Sequence, residues 1–370
     1  MNLVYGVMTV VLFLFLFWRI PASKKETNVK SNQIISIIIP ARNEEQTIAR
    51  LLTSIQSQDY QPLEIIVVND QSTDRTKDIA LQYGARVIDN KDLPAGWLGK
   101  SWACWNGATV AKGDILIFVD ADTWFSKNGI ENAISTFQED NKTDLLTIHP
   151  FHVMERWYEK LSAFFHLVVF LSLGITHIFS KNTKPAGGFG QLLICKKEIY
   201  VTLGGHEAIK EQIVENFAFC QLAISKGFYA RAIVGKNIIN MRMYQDGIVS
   251  VFKGWAKSIA SGAKKTSPKF TFLIIIWIAV AFSFITKSID IIFEQSIFFV
   301  VTYVFMCLLY FRILRQIGNF SLFDTILFPI HIVFFIFVSC YSVISTFLLK
   351  NASWKGRQIV VSKTKGDQDI

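Results

Sequence analysis

The segment Val119-Asp120-Ala121-Asp122 sets two carboxylates one residue apart, directly after the apolar run Ile-Leu-Ile-Phe. Side chains that alternate out of a strand end can, with one turn of the chain, face a single hard cation. Magnesium or manganese is held this way, by one or two carboxylates together with substrate phosphates. Such an ion would neutralise charge building on a departing diphosphate, which is Lewis-acid assistance. An Asp-x-Asp triplet alone occurs in many loops; its place at the end of a buried strand gives it weight. Asp120 and Asp122 are therefore candidate metal ligands, and Asp122 a candidate catalytic residue.

Three further clusters accompany it. In Val-Val-Asn-Asp (67–70), Asp70 again follows a strand, where a carboxylate can accept the N–H of a nucleobase. Ser72 or Asp74 just beyond can cap the next helix. In IIIPARNEE (37–45), Pro40 ends a strand and leads towards a helix N-terminus, which favours anions. Glu44 and Glu45 can alternatively serve only to complement that helix dipole. In GWLGKS (96–101), a glycine turn precedes a helix and offers Lys100 to a phosphate. The GxxxxGK[ST] spacing is absent, so this is not a P-loop.

All four clusters need a scaffold that delivers strand ends to one place. From Gln33 onward, continuous Ile/Val runs (IISIIIP, EIIVVND, RVI, ILIFVDAD) alternate with helical patterns of 10–15 residues. That alternation implies an α/β, Rossmann-like, mostly parallel sheet covered on both faces. Such sheets bind ligands beyond the carboxyl ends of their strands, where every cluster sits.

The 370 residues are 51% hydrophobic with a net charge of +9, and the apolar residues concentrate at the two ends. Residues 1–20 read as a retained N-terminal membrane anchor, since their basic residues follow the apolar run rather than precede it. Residues 33–265 form the soluble domain. Residues 270–350 hold further spans, and 351–370 form a basic tail. Arg19, Lys24, Lys25 and Lys30 after the first span place the domain in the cytoplasm by the positive-inside rule, in a multi-pass cell-membrane protein. Four simple spans would then put the tail (Lys350, Lys355, Arg357, Lys363, Lys365) outside, so either one segment fails to cross or the rule is broken. The apolar stretch Phe164–Phe179 reads either as an interfacial helix or as a buried core helix, with His166 and His177 as ordinary helix residues rather than ligands. Five scattered cysteines without a CxxC pair suit a reducing compartment and argue against a zinc site among them. Trp255 and Trp354 are expected at the membrane interface.

The segments IIIPARNEE, VVNDQSTD, GKSWAC, FVDAD, GGHEAI and RMYQDG together resemble family 2 glycosyltransferases with the GT-A fold, over roughly Gln33 to Gly262. The resemblance implies that Pro40, Glu44 and Asp70 line the nucleoside site. It also implies that Asp120 and Asp122 hold Mg2+ or Mn2+ with the diphosphate, and that transfer inverts the anomeric centre. GGHEAIKEQIVENFA, GWAKSIASGA and WKGRQ are similar to a narrower group, bacterial transferases that join glucose from UDP-glucose to the carboxyl of a C30 carotenoid acid. That likeness implies a UDP-sugar donor, a lipid-like carotenoid acid acceptor and the membrane as partners, with no nucleic acid. The alternative is an inverting transferase acting on ceramide, diacylglycerol or polyprenyl phosphate. The QxxRW motif of processive synthases is absent.

One departure stands out. The wider family presents a Glu-Asp pair for the general base, whereas this chain has Glu215-Asn216. Either Glu215 takes over as catalytic base, or none is needed because a carboxylic acid with a pKa of about 4 arrives at neutral pH already ionised. An anionic acceptor calls for a cation, and Arg242 and His206 are the expected acceptor-binding residues.

Overall fold

Ile35, Ile37 and Ile39 point to one side of the first strand and Ile38 to the other, and all four are fully buried. A strand apolar on both faces has to be covered on both, and in the computed structural model of the chain it is. The structure describes residues 2–23, 33–61, 63–140, 142–262, 265–292 and 297–348, with two short strands at Ser353–Trp354 and Arg357–Gln358.

In chain order the elements are α1 (Asn2–Leu16), β1 (Ile35–Ala41), α2 (Ile48–Gln56), β2 (Leu63–Asn69), α3 (Thr76–Gln82), β3 (Arg86–Asp89) and α4 (Gly99–Val110). There follow β4 (Ile115–Val119), β5 (Thr123–Phe125), α5 (Gly129–Gln138), β6 (Leu145–His152), α6 (Ala163–Ser172), β7 (Leu192–Lys196) and α7 (Lys197–Thr202). The chain ends with α8 (Glu215–Ser225), β8 (Ala230–Met241), α9 (Ile248–Gly262), α10 (Pro268–Ile292), α11 (Ile297–Ile317), α12 (Leu322–Ile326) and α13 (Phe328–Leu348).

The eight strands form one sheet in the order β3-β2-β1-β4-β7-β6-β8-β5. The half from β3 to β4 is parallel, as the alternating pattern implies. Beyond it the sheet is mixed: β7 runs antiparallel to both β4 and β6, β6 and β8 are parallel, and β5 closes the edge antiparallel. Helices α2, α3 and α5 bury their apolar sides against one face, and α4, α7 and α8 against the other.

A third apolar layer joins the sheet to the remaining helices. Phe13 and Leu16 of α1, Phe164 and Phe165 of α6, Trp255 of α9, Trp277 of α10, Ile313 and Leu314 of α11 and Phe335 of α13 share it. The Phe164–Phe179 stretch therefore begins as a core helix rather than an interfacial one. Trp255 is a correction to the expectation: it is buried, stacked on Phe165 at 4.6 Å, and donates its indole N–H to Ser162 at 2.9 Å. The exposed tryptophans are Trp18 and Trp157, and the Trp354 side chain lies outside the described residues. All five cysteines are free thiols; Cys104, Cys195, Cys220 and Cys307 are buried.

Among the described residues, three helical stretches are long and apolar enough to cross a membrane: Pro268–Thr286, Ile297–Ile317 and Phe328–Ser345. α1 ends at Leu16 rather than Ile20. At ~1.5 Å per residue it is about 22 Å long, short of a hydrocarbon core of ~30 Å, and it packs on α10 and α11 through Phe13. Lys24, Lys25, Lys30, Lys350, Lys355, Lys363 and Lys365, which bear on orientation, lie outside the described residues. The turn after α11 is stitched to the domain: the Asn319 amide accepts from Met154 N at 2.8 Å and donates to Met154 O at 2.9 Å, and Lys160 pairs with Asp324 at 2.8 Å.

Gly107 lets α4 lie close to the sheet. A Cβ there would stand 2.5 Å from Ile38 Cγ2 and 3.0 Å from Val68 Cγ2, and overpacking of this kind costs about 1–3 kcal/mol. Gly107→Val is expected to lower the melting temperature in detergent, although valine has the higher helix propensity. A variant as stable as its parent would contradict this close approach.

Candidate active site

The parallel register brings Ala41 of β1 beside Asn69 of β2, so both strands end at one level. Each strand exit then turns sharply, with Asn43 at φ 53° and Gln71 at φ 55°, the left-handed region that Asn tolerates better than most side chains and that is uncommon for Gln. The two exits are laced together: Asn43 N–H donates to Ser72 Oγ at 3.1 Å, and Thr73 N–H to Asn43 Oδ1 at 2.8 Å. Asp74 accepts from Thr76 N at 3.0 Å and Glu45 N at 3.1 Å, the capping role read from sequence. Asp70 is thereby fixed at the top of β2, buried, accepting from Asn90 Nδ2 at 2.9 Å with Arg42 at 3.6 Å.

Lys100, on the first turn of α4, reaches the end of β4. Its ammonium lies 2.6 Å from Asp120 Oδ1 and 2.6 Å from Glu215 Oε1, and it donates to Gly190 O at 3.2 Å. Burial works against the ammonium, but the flanking carboxylates of Asp120 and Glu215 outweigh it and hold Lys100 well above the usual lysine range. Asp120 itself is pushed up to about 7, mainly by burial, with Lys100 opposing and Asp122 and Glu215 adding to the rise. Asn216 is no base: its side-chain N–H donates to the same Gly190 carbonyl at 2.7 Å. An aspartate in that place would bring an acceptor against an acceptor.

These groups line one cleft of about 720 Å³, with Pro40, Glu44, Asp70, Lys100, Asp120, Asp122 and Glu215 all in its wall. Glu44 also accepts from Thr47 Oγ1 at 2.7 Å, so it supports the start of α2 while facing the cleft.

Two expected residues are not brought there. His206 is fully buried behind the cleft, between Phe118 and Phe219, with the Tyr200 hydroxyl 2.9 Å from its Nδ1. Burial, with Lys100 adding to it, depresses its pKa to about 3, and a neutral enclosed ring cannot serve as the cation for an acceptor. Arg242 is engaged elsewhere, on Glu159 at 2.8 and 3.0 Å and on Glu155 at 2.7 Å, and it fixes the 3₁₀ turn Trp157–Ser162.

Sequence reading missed Arg42, which stood inside the quoted IIIPARNEE segment. It also missed Gly190–Gln191, whose signal was the glycine-rich GGFGQ run, and Ser258 of α9. The cleft holds five carboxylates (Glu44, Asp70, Asp120, Asp122, Glu215) against two cations (Arg42, Lys100). That excess suits a hard divalent ion with oxygen ligands, and a diphosphate alone would be repelled by it.

Comparison with known proteins agrees with this geometry. The profile of glycosyl transferase family 2 matches residues 36–202. The 4,4'-diaponeurosporenoate glycosyltransferase of Staphylococcus aureus (strain USA300) is 33% identical over 346 residues, 92% of either chain. Its counterpart in strain MRSA252 is 34% identical with the same coverage. The chain belongs to glycosyl transferase family 2. Among solved structures, the mannosyltransferase PcManGT from Pyrobaculum calidifontis, in complex with GDP-Man and Mn2+, superposes with a TM-score of 0.53 at 15% identity, over 92% of this chain and 99% of that one. The fold of the transferase is accordingly GT-A, with apolar helices appended.

The raised Asp120 pKa has a thermodynamic consequence for the transferase. Its folded value of about 7 lies above the carboxylate's ordinary 3.8, so the native state binds the extra proton and this group's contribution to stability falls as pH rises between those values. In chelator, the melting temperature of Asp120→Asn relative to wild type is expected to rise between pH 5 and pH 8. Parallel melting curves across that range would refute the assignment.

Proposed function

We propose that the enzyme transfers glucose from UDP-glucose to the terminal carboxylate of a C30 carotenoid acid, 4,4'-diaponeurosporenoate. The product is a glycosyl ester with inverted anomeric configuration. The observation that carries this reading is the meeting of Asp70, Asp120, Asp122, Lys100 and Glu215 in one cleft. The S. aureus relatives supply the acceptor by their name.

In this reading a carboxylate oxygen of the acceptor attacks C1 of glucose, the bond from C1 to the diphosphate breaks, and UDP departs with the electron pair. Asp120 and Asp122 would hold Mg2+ or Mn2+, which would supply charge neutralisation on the leaving diphosphate. Asp70 accepts the uracil N–H, with Pro40 and Glu44 beside it. Lys100 pairs with the diphosphate from the first turn of α4. No proton has to leave an acceptor that is already ionised, which fits an Asn216 committed to Gly190. Glu215 then holds Lys100 in place rather than acting as base.

With His206 and Arg242 placed elsewhere, Lys265 is the cation we assign to the acceptor carboxylate. It lies 3.5 Å from Gln212 of the cleft wall and is half-buried, and burial holds its pKa below the usual lysine range against the opposing charge of Glu215. A lipid acceptor also has a short route to this place. α9 lines the cleft with Ser258, while its Ala256 carbonyl accepts from Ser342 of α13 at 2.6 Å and its Phe252 packs on Tyr341. The cleft thus sits one helix away from the apolar bundle, on the cytoplasmic side of the membrane in this reading.

Membranes given UDP-[¹⁴C]glucose and the carotenoid acid are expected to form a labelled lipid that mild alkali cleaves. An alkali-stable product would favour another lipid acceptor. Asp120→Ala and Asp122→Ala should each reduce transfer by at least about 10²-fold, the scale of removing one charge-stabilising group. Lys265→Ala is expected to raise the KM for the acid about tenfold while sparing donor hydrolysis, as loss of one charge-assisted contact would; equal losses in both would reject the role. Glu215→Gln should retain activity within about tenfold, since general-base loss costs ~10²–10⁴.

A further inference from the structure

Three histidines on the membrane-facing side of the sheet belong to none of the chemistry above. His149 and His152 both come from β6, three residues apart, a spacing that in a regular strand would send them to opposite faces. The pairing of β6 with β8 breaks register between Pro150 and Phe151. Irregularities of this kind re-aim side chains, and here His149 and His152 both turn towards α6, where His166 meets them. The ring centroids lie 4.8 Å apart for His149–His152, 4.1 Å for His152–His166 and 5.2 Å for His149–His166. One nitrogen from each ring falls within 4.8 Å of the other two.

The rings are 5%, 2% and 1% exposed, walled by Phe170, Phe189 and Trp255. His152 Nε2 and both nitrogens of His166 have no hydrogen-bond partner. Leaving a buried polar atom unpaired costs about 1–3 kcal/mol, so three in contact are an expensive arrangement unless something joins them. His149 shows what that is. Its Nδ1 lies 3.0 Å from the Pro150 carbonyl, which can only accept, so Nδ1 carries the hydrogen and Nε2 keeps a lone pair. A backbone carbonyl on the far nitrogen is the usual orienting contact of a metal-bound imidazole.

We infer that His149, His152 and His166 form a binding site for a divalent transition-metal ion of the zinc class, braced between the sheet and α6. Three imidazoles suit zinc and its neighbours, whereas Mg2+ and Mn2+ prefer the oxygens of the catalytic cleft. Nitrogens bound at ~2.0–2.1 Å in a tetrahedron lie roughly 3.4 Å apart, so the rings need to close by about an ångström through side-chain rotation. Three protein ligands leave a fourth position for water or an anion. The ion joins β6 to α6, the helix on which Trp277 of α10 and Phe335 of α13 pack. Phe189, against His149, directly precedes the Gly190 whose carbonyl holds Lys100 and Asn216. The site therefore ties the membrane-side layer to the wall of the cleft. His166, an ordinary helix residue by sequence, acquires this role only through the break in β6.

The test uses the full-length chain purified in detergent and washed with excess Mg2+ to fill the carboxylate site. Elemental analysis is expected to find about one zinc per chain, lost in both His152→Leu and His166→Phe. Chelation should lower the melting temperature of wild type but not of either variant. Should a variant fail to fold, wild type loaded with Co2+ decides, by the visible bands of a low-coordinate imidazole-bound ion. Zinc-free wild type that takes up none on addition, zinc retained equally by the variants, a melting temperature indifferent to chelator, or a Co2+ spectrum of the free aqueous ion would each overturn the inference.

Discussion

The Lys100 ammonium between Asp120 and Glu215 is the interaction on which the rest of the cleft depends. It joins the end of β4 and the start of α4, which are neighbours in sequence, to the start of the distant α8, at 2.6 Å on either side. Burial is the main cause of the raised Asp120 pKa, and the carboxylates of Asp122 and Glu215 add to it against the opposing ammonium. A site assembled in this way carries more negative than positive side chains, which is the charge that the proposed cation would offset. Its geometry is set by Gly107, which lets α4 approach the sheet, Asn216, which holds Gly190, and Asn90, which holds Asp70.

The scaffold places this charge problem beside an apolar one. α9 faces the cleft on one side and α13 on the other, and the turn after α11 returns to the domain through Asn319 and Asp324. Under the proposed function, this arrangement lets a polar donor and an apolar acceptor meet at the same carboxylates. No long conduit is required; one helix separates the two environments.

The first half of the sheet and its acidic strand ends were legible because buried parallel strands read as unbroken Ile/Val runs, and Asp70, Asp120 and Asp122 interrupt those runs at their ends. The second half was not. Pro150 and the register break in β6, and Gly235 in β8, disturb the alternation by which strands are recognised. Lys100 and Glu215 could be named as candidates but not as partners, since nothing local in the sequence brings residues 100 and 215 together. His206 and Arg242 show the opposite error. Both lie near informative motifs, yet proximity in sequence does not say where a side chain points, and each is held by neighbours that sequence did not reveal, Tyr200 for one and Glu159 for the other. Trp255 was misplaced for a similar reason: an aromatic residue near apolar helices is at an interface only if nothing covers it, and Phe165 does.

The most direct test of the charge account is calorimetric titration of the wild-type protein with UDP, once with Mn2+ and once in chelator. If the excess carboxylates of the cleft must be neutralised before a diphosphate can bind, Mn2+ should tighten UDP binding by about 10²-fold, within the range of ordinary coupling between two ligands. Equal affinity under the two conditions would contradict it.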